Sequence, residues 1–249
     1  MQSTNPVFAG NPYARAGYAD DALLEGRSPT MTVQGTIVKT FVLFAILLST
    51  AAWTWNQVDQ RQLSGGLLMG ALIVGFVVSM ITIFTPRISM YTAPVYAAAE
   101  GVFLGAISNI FEQRYPGIAA QAISLTMATM FTMLILYLTG LVKVTDRLIT
   151  GIVAATSAVA LVYIVAMLMS VFGHPVSFIN QPTKLGIGFS LVVVGIAAFN
   201  LLLDFEFISR GAHSRAPKYM EWYTAFGLMV TLVWLYLEIL RLLSKLKDR

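Results

Sequence analysis

The chemistry within reach of this chain rests on five acids set in or beside apolar runs: Glu100, Asp204, Glu206, Glu221 and Glu238. The apolar stretch Leu185 to Leu203 ends in Asp204-Phe205-Glu206, and a basic turn then leads to Glu221 at the start of the last apolar run. Carboxyl groups at membrane depth are costly to ionise, so they mark proton sites or ion paths more often than packing. Asp204 closes one run and Glu221 opens the next on the same side, so the two can approach each other at comparable depth. Two carboxylates close together in low dielectric cannot both stay ionised, and they titrate as a unit. Such a pair holds one proton, grips a divalent cation, or alternates between these. Oxygen donors, with no cysteine and no histidine in the apolar runs, suit a hard cation such as calcium, with Asp204 and Glu221 as its ligands.

The other candidates are placed by spacing. Asn200 lies one turn before Asp204, shares its face, and could add an amide oxygen. Glu206 is about 200° around the helix from Asp204, so it faces lipid head groups or another helix. Arg87, in Thr85-Pro86-Arg87, is a counter-charge for Asp204. A breakable Asp204–Arg87 contact competing with Asp204–Glu221 would act as a latch; the plainer reading is that Arg87 anchors its loop. Glu100, midway along an apolar run, is either a pore or proton group or a buried, hydrogen-bonded acid. Glu238 has Arg241 one turn on, the spacing of a helical ion pair. Asp20, Asp21, Glu25, Asp59, Glu112, Asp146 and Asp248 fall in tails or loops and read as solvated charges.

The elements that must carry these residues are membrane helices. The chain has 249 residues, 57% of them apolar and 11% charged, with a mean hydropathy of +0.74. A soluble domain carries about 25% charge. Seven apolar runs are long enough to span: Ile37–Trp55, Leu67–Phe84, Tyr91–Phe111, Ala119–Val142, Leu148–Phe172, Leu185–Phe207 and Trp222–Leu243. A hydrocarbon core of about 30 Å needs about 20 helical residues, and two-residue alternation is absent, so these are helices and not barrel strands. The expected organisation is all-α: a polar, disordered tail over 1–36, a seven-helix bundle over 37–243, and a basic tail over 244–249. Short loops make successive helices antiparallel neighbours.

Small residues at four-residue spacing, Gly66 and Gly70, Gly101 and Gly105, with Gly75, Gly186, Gly188 and Gly195, allow close helix approach. Trp53 and Trp55 mark one interface; Tyr219, Trp222 and Tyr223 mark the other. Met127, Met130 and Met133 read as flexible packing. Aromatic residues of the tail, Phe8, Tyr13 and Tyr18, could meet a partner.

Basic residues set the orientation. Arg15, Arg27, Lys39, Arg87, Lys143, Arg147, Arg210, Arg215 and Lys218, nine in all, lie on the tail side; Arg61, Arg114 and Lys184 lie opposite. The positive-inside rule then puts the N-terminus in the cytoplasm. Seven spans put Arg241, Lys245, Lys247 and Arg249 on the outer side, against that rule; either the internal bias overrides them, or one run is re-entrant and the C-terminus returns to the cytoplasm. Net charge is +4 and has no nucleic acid pattern; the partners implied are the bilayer, calcium or protons, and another membrane protein.

The chain resembles the transmembrane Bax inhibitor motif family, most of all its bacterial YccA-like branch. The resemblance rests on Thr92-Ala93-Pro94-Val95-Tyr96 through Glu100-Gly101-Val102-Phe103-Leu104-Gly105, on Leu203-Asp204-Phe205, and on Leu235-Tyr236-Leu237-Glu238-Ile239-Leu240-Arg241. It implies a seven-helix bundle of the Bax inhibitor type in a bacterial inner membrane and a pH-sensitive calcium leak. In that scheme a carboxylate pair between the last two helices is the sensor and a basic residue on the second helix is the latch. Asp204 matches the first carboxylate. Aligned on the Leu-Arg ending, the second falls at Thr231, which cannot ionise, and by depth the acidic partner is Glu221. The family also suggests a second reading, a non-transporting regulator that binds membrane proteases or other membrane proteins in stress response. Nothing points to an enzyme or a bound cofactor: His174 and His213 lie in loops, and no lysine sits inside the last run for a Schiff base.

Overall fold

A computed structural model describes residues 30–60, 65–173 and 181–248. Most of the tail, including Phe8, Tyr13 and Tyr18, lies outside the described residues, as do Arg61 and His174. The helices are α1 (Val33–Asp59), α2 (Gly65–Phe84), α3 (Ser89–Arg114), α4 (Ile118–Leu138), α5 (Asp146–Val171), α6 (Lys184–His213) and α7 (Met220–Lys247). All seven are long and apolar enough to cross a membrane, so the chain is an integral membrane protein. A 3₁₀ turn, Pro86–Ile88, joins α2 to α3, with proline at its first position where no N–H is needed.

Starts and stops follow local chemistry. Thr32, Thr145 and Thr183 cap α1, α5 and α6, each accepting from a backbone N–H three residues on. Between α3 and α4 the chain turns at Gly117 with φ of 83°, a conformation that favours glycine. Glu112 then reaches across, accepting from Gly117 N and from Ala119 N at 3.0 Å. It is thus the cap of α4 and not a solvated charge. Asp59 likewise accepts from Asn109 at 2.7 Å, and Asp248 accepts from Tyr115.

Burial runs inward toward the last helix. Of the membrane window of α7, 67% is buried, against 11% for α5 and 17% for α2. Around α7 stand α1, α3, α4 and α6, while α2 packs mainly on α3 and α5 mainly on α6. Short loops do not therefore make every successive pair neighbours: α1 and α2, and α4 and α5, are separated by helices from elsewhere. The outward faces of α2 and α5 are apolar because lipid, not water, is their solvent.

The small-residue spacing is used in one place. A side chain on Gly101 would strike the Leu47 carbonyl, and one on Gly105 the Ala51 carbonyl, so glycine lets α3 lie against α1. Gly70, Gly188 and Gly195 face open space instead. Tyr223, expected at an interface, is a core residue 1% exposed. Met130 and Met133 pack against the core as expected.

Several boundaries move: α1 runs on to Asp59, α4 stops at Leu138 and α6 continues to His213, and two further shifts bring new contacts. Helix α1 begins at Val33, and the residues before it are pinned: Thr30 pairs with Pro217, and Met31 N donates to Ala216 O at 2.7 Å. Helix α7 continues to Lys247, so residues 244–247 are not a tail, and Ser244 and Lys245 are buried. Lys247 donates to Pro116 O, and Asp248 meets Tyr115 and Arg114, which places the C-terminal end beside the α3–α4 turn, across the bundle from Thr30. Below, the end holding Thr30 is called the tail-side end and the other the far end.

Candidate functional site

At the tail-side end, Glu221 occupies the first turn of α7 with none of its surface exposed. Its Oε1 accepts from Thr32 N and Thr32 Oγ1, both at 2.9 Å, and pairs with Lys218 at 2.8 Å. Its Oε2 pairs with Lys39, whose ammonium also stands 5.7 Å from the centre of the Trp222 ring. Gly35 of α1 passes so near the carboxylate that a Cβ there would overlap it. Thr36 and Thr224 continue the same contact at 3.3 Å. Glu221 is therefore a charge clasp joining the entry of α1 to the turn between α6 and α7.

That assignment corrects the acid pair expected from depth. Depth does not match: α6 runs on to His213, so Asp204 lies nine residues, about 13 Å, inside the end at which Glu221 opens α7. Rotation also counts against the pair: Glu221 lies on the face of α7 that meets α1, with Thr224 one turn on, and two lysines and a threonine occupy both oxygens. The calcium ligation expected of Glu221 fails for the same reason, because a hard cation needs six to eight oxygen ligands and here ammonium groups stand in their place. Among the described residues, no group of three or more His, Cys, Asp or Glu could hold a metal ion.

Asp204 lies fully enclosed in α6, nine residues before that helix ends at His213. From Asn200 to Asp204 every residue is buried, although a helix ordinarily shows one face to its surroundings. Here α6 is enclosed by α7, α4 and α5 at once. Asn200, on the face of Asp204 as expected, donates its amide to Thr156 Oγ1 of α5 and to Ile196 O, each at 2.8 Å. Arg87 sits past the end of α2, in the 3₁₀ turn, at the tail-side end. The residue after that turn, Ser89, donates to Tyr219 O at 3.1 Å, which fixes the turn against the start of α7.

The remaining acids have identifiable partners. Glu206 pairs with Arg210 and accepts from Tyr137 OH at 2.9 Å, so it faces α4, the second of its two expected alternatives. Glu100 is partly buried at the α2–α3 interface, beside Tyr96, whose ring meets Phe226 edge-on at 4.9 Å. Glu238 forms the expected helical pair with Arg241 at 2.8 Å and adds Tyr163 OH at 2.9 Å.

Residues missed from the sequence are Thr32, Lys39 and Lys218 at the clasp, and Tyr163, Ser190 and Lys245 at the far end. Lys39 carried a signal: it is a lone cation inside an apolar helix, where charge calls for a partner. Thr32 carried a weaker one, as a threonine three residues before a helical glycine.

A family model described as Bax inhibitor 1 like matches residues 5–248. No curated protein and no solved structure matches the chain. With seven membrane-length helices among its described residues and a match over nearly its whole length, the chain belongs to the Bax inhibitor 1 like family.

Proposed function

We propose that the protein is a proton-gated leak for cations, calcium among them, with Asp204 as the group that takes the proton. The observation carrying this reading is the enclosure of Asp204 in a turn of α6 buried on every side. An acid in such a place is costly to keep ionised unless charge or hydrogen bonds hold it. We assign that hold to Arg87, at the same end of the bundle. Protonation of Asp204 removes the charge that Arg87 answers, loosening the α2–α3 turn from α6 and α7 and opening the tail-side end. Calcium crosses as cargo, and Glu221, held by lysines, is a hinge clasp and not a ligand. The balance of basic residues supports a cytoplasmic tail-side end in a bacterial inner membrane.

Proteoliposomes test this directly. Calcium entry should exceed that of empty liposomes and rise on acidification, and Asp204→Asn should give entry that no longer responds to pH. Entry no greater than in empty liposomes at any pH refutes the leak. A regulatory role that binds membrane proteases or other membrane proteins is the second reading, supported by the clamped stretch Thr30–Thr32, which fixes where the preceding residues leave the bundle. A partner retained through residues 1–29, with no flux, favours it.

A further inference from the structure

The far end holds a second cluster of buried charge that the gate does not use. Glu238 is 2% exposed and Lys245 is 3% exposed, and both lie on α7 with Arg241 between them. Oε1 of Glu238 takes both available donors, Tyr163 OH at 2.9 Å and Arg241 Nη1 at 2.8 Å, and Arg241 also donates to Tyr163 OH at 2.6 Å. Oε2 of Glu238 is buried without a hydrogen-bond partner among the described residues. Lys245 Nζ donates to Gly186 O at 3.1 Å and to Ser190 Oγ at 2.7 Å, both on α6 and both uncharged.

Two mismatches stand out. An ammonium has three N–H groups and meets two acceptors, while a carboxylate oxygen two turns away on α7 meets no donor. Fully ionised, the cluster also carries a net positive charge, because Arg241 and Lys245 outnumber Glu238; Arg241 is 35% exposed, so the costly charge is that of Lys245, buried against uncharged acceptors. We propose that Lys245 and Glu238 form a proton-exchange site facing the far side of the membrane. As an amine, Lys245 donates its two N–H groups to α6 and leaves Glu238 and Arg241 a neutral pair. When far-side water delivers a proton to the Nζ lone pair, the new ammonium is drawn along α7 toward Oε2 of Glu238, and its bonds to Gly186 and Ser190 weaken. Helical side chains lean toward the N-terminus, so Lys245 already points along α7 toward residues 241 and 238. The other groups near this end are Asp59 ending α1, Tyr163 of α5, exposed Lys184 opening α6, and Glu112, Arg114, Tyr115, Lys247 and Asp248 at the α3–α4 turn. Asp59 is held by Asn109 and Glu112 by the backbone opening α4, while α4 itself presents no charge there.

The site is tested without any flux. Protein carrying ¹³C-labelled lysine, in nanodiscs, should give a side-chain signal that is absent from Lys245→Met and moves between two pH values at which the exposed lysines stay still. Glu238→Gln should weaken proton binding by about tenfold or more, one pH unit on that signal. Lys245→Arg, permanently charged, keeps a cation at the position and should lose the α6–α7 response to pH read from Gly186 and Ser190 amide signals. A Lys245 signal that holds still with its exposed counterparts, or a response unchanged in Glu238→Gln, overturns the proposal. These readouts do not depend on whether the protein leaks calcium.

Discussion

A single methyl group at Gly35 separates the charge clasp from ordinary helix packing. Gly35 is the third residue of α1, where alanine is the better helix former by about 1 kcal/mol. On propensity alone, Gly35→Ala stabilises. The added Cβ, however, lands on the Glu221 carboxylate, which has to move. Lys39 and Lys218, 18% and 45% exposed, are flexible enough to follow it and are counted as unchanged. Of the two donors of Thr32, the N–H belongs to the backbone and the hydroxyl is held in place by accepting from Gly35 N, so neither follows. Hydrogen bonds to a charged group are worth about 1.5–3 kcal/mol each, and Thr32 is solvent-exposed, so the lower figure applies and the pair contributes about 3 kcal/mol. The net is a loss of about 2 kcal/mol. Thermal unfolding in detergent measures it. The decisive comparison is a cycle with Glu221→Ala: without the carboxylate, Gly35→Ala should stabilise by about 1 kcal/mol, a coupling of about 3 kcal/mol. Equal effects in both backgrounds would refute the clasp.

The same contacts yield further expectations. Gly105→Leu places a side chain in the Ala51 backbone, and separation of α1 from α3 should show as loss of the folded species on size-exclusion chromatography, whereas Gly70→Leu, facing open space, should be tolerated. Truncation after Leu243 removes Lys245, Lys247 and Asp248 together with their bonds to α6 and the α3–α4 turn; a clear drop in melting temperature is expected, where a free tail would give none. Glu112→Gln keeps an acceptor but loses charge at the start of α4, with an expected cost of about 1 kcal/mol in the same melting assay.

Hydrophobic length alone located all seven helices, and the Gly101–Gly105 and Glu238–Arg241 spacings were legible because both partners' positions follow from one helix and its repeat. Glu221 was harder. Its depth followed from chain order, but the angle at which α7 presents it depends on how that helix is rotated by its packing against α1, and sequence carries no direct record of rotation. Lys245 was misplaced for a related reason: four basic residues near a terminus look like a solvated tail, and only the start of α6 packed beside it buries Lys245 while Leu246 and Lys247 stay exposed. Asp204 was found because a carboxylate closing an apolar run is conspicuous without any knowledge of its neighbours.

The helix at the centre of the bundle is also the last of the seven to be synthesised. While α1 to α6 are already in the bilayer, the surfaces they will turn toward α7 have no occupant, and Lys39 stands in an apolar helix with its counter-ion still inside the ribosome. A late commitment step in biogenesis is the expected consequence, in which one hydrophobic segment enters the space left among α1, α3, α4 and α6. Ribosome stalling before residue 220 should leave an intermediate that quality-control proteases recognise, and slow translation of this one segment would lower yield more than the same delay anywhere earlier.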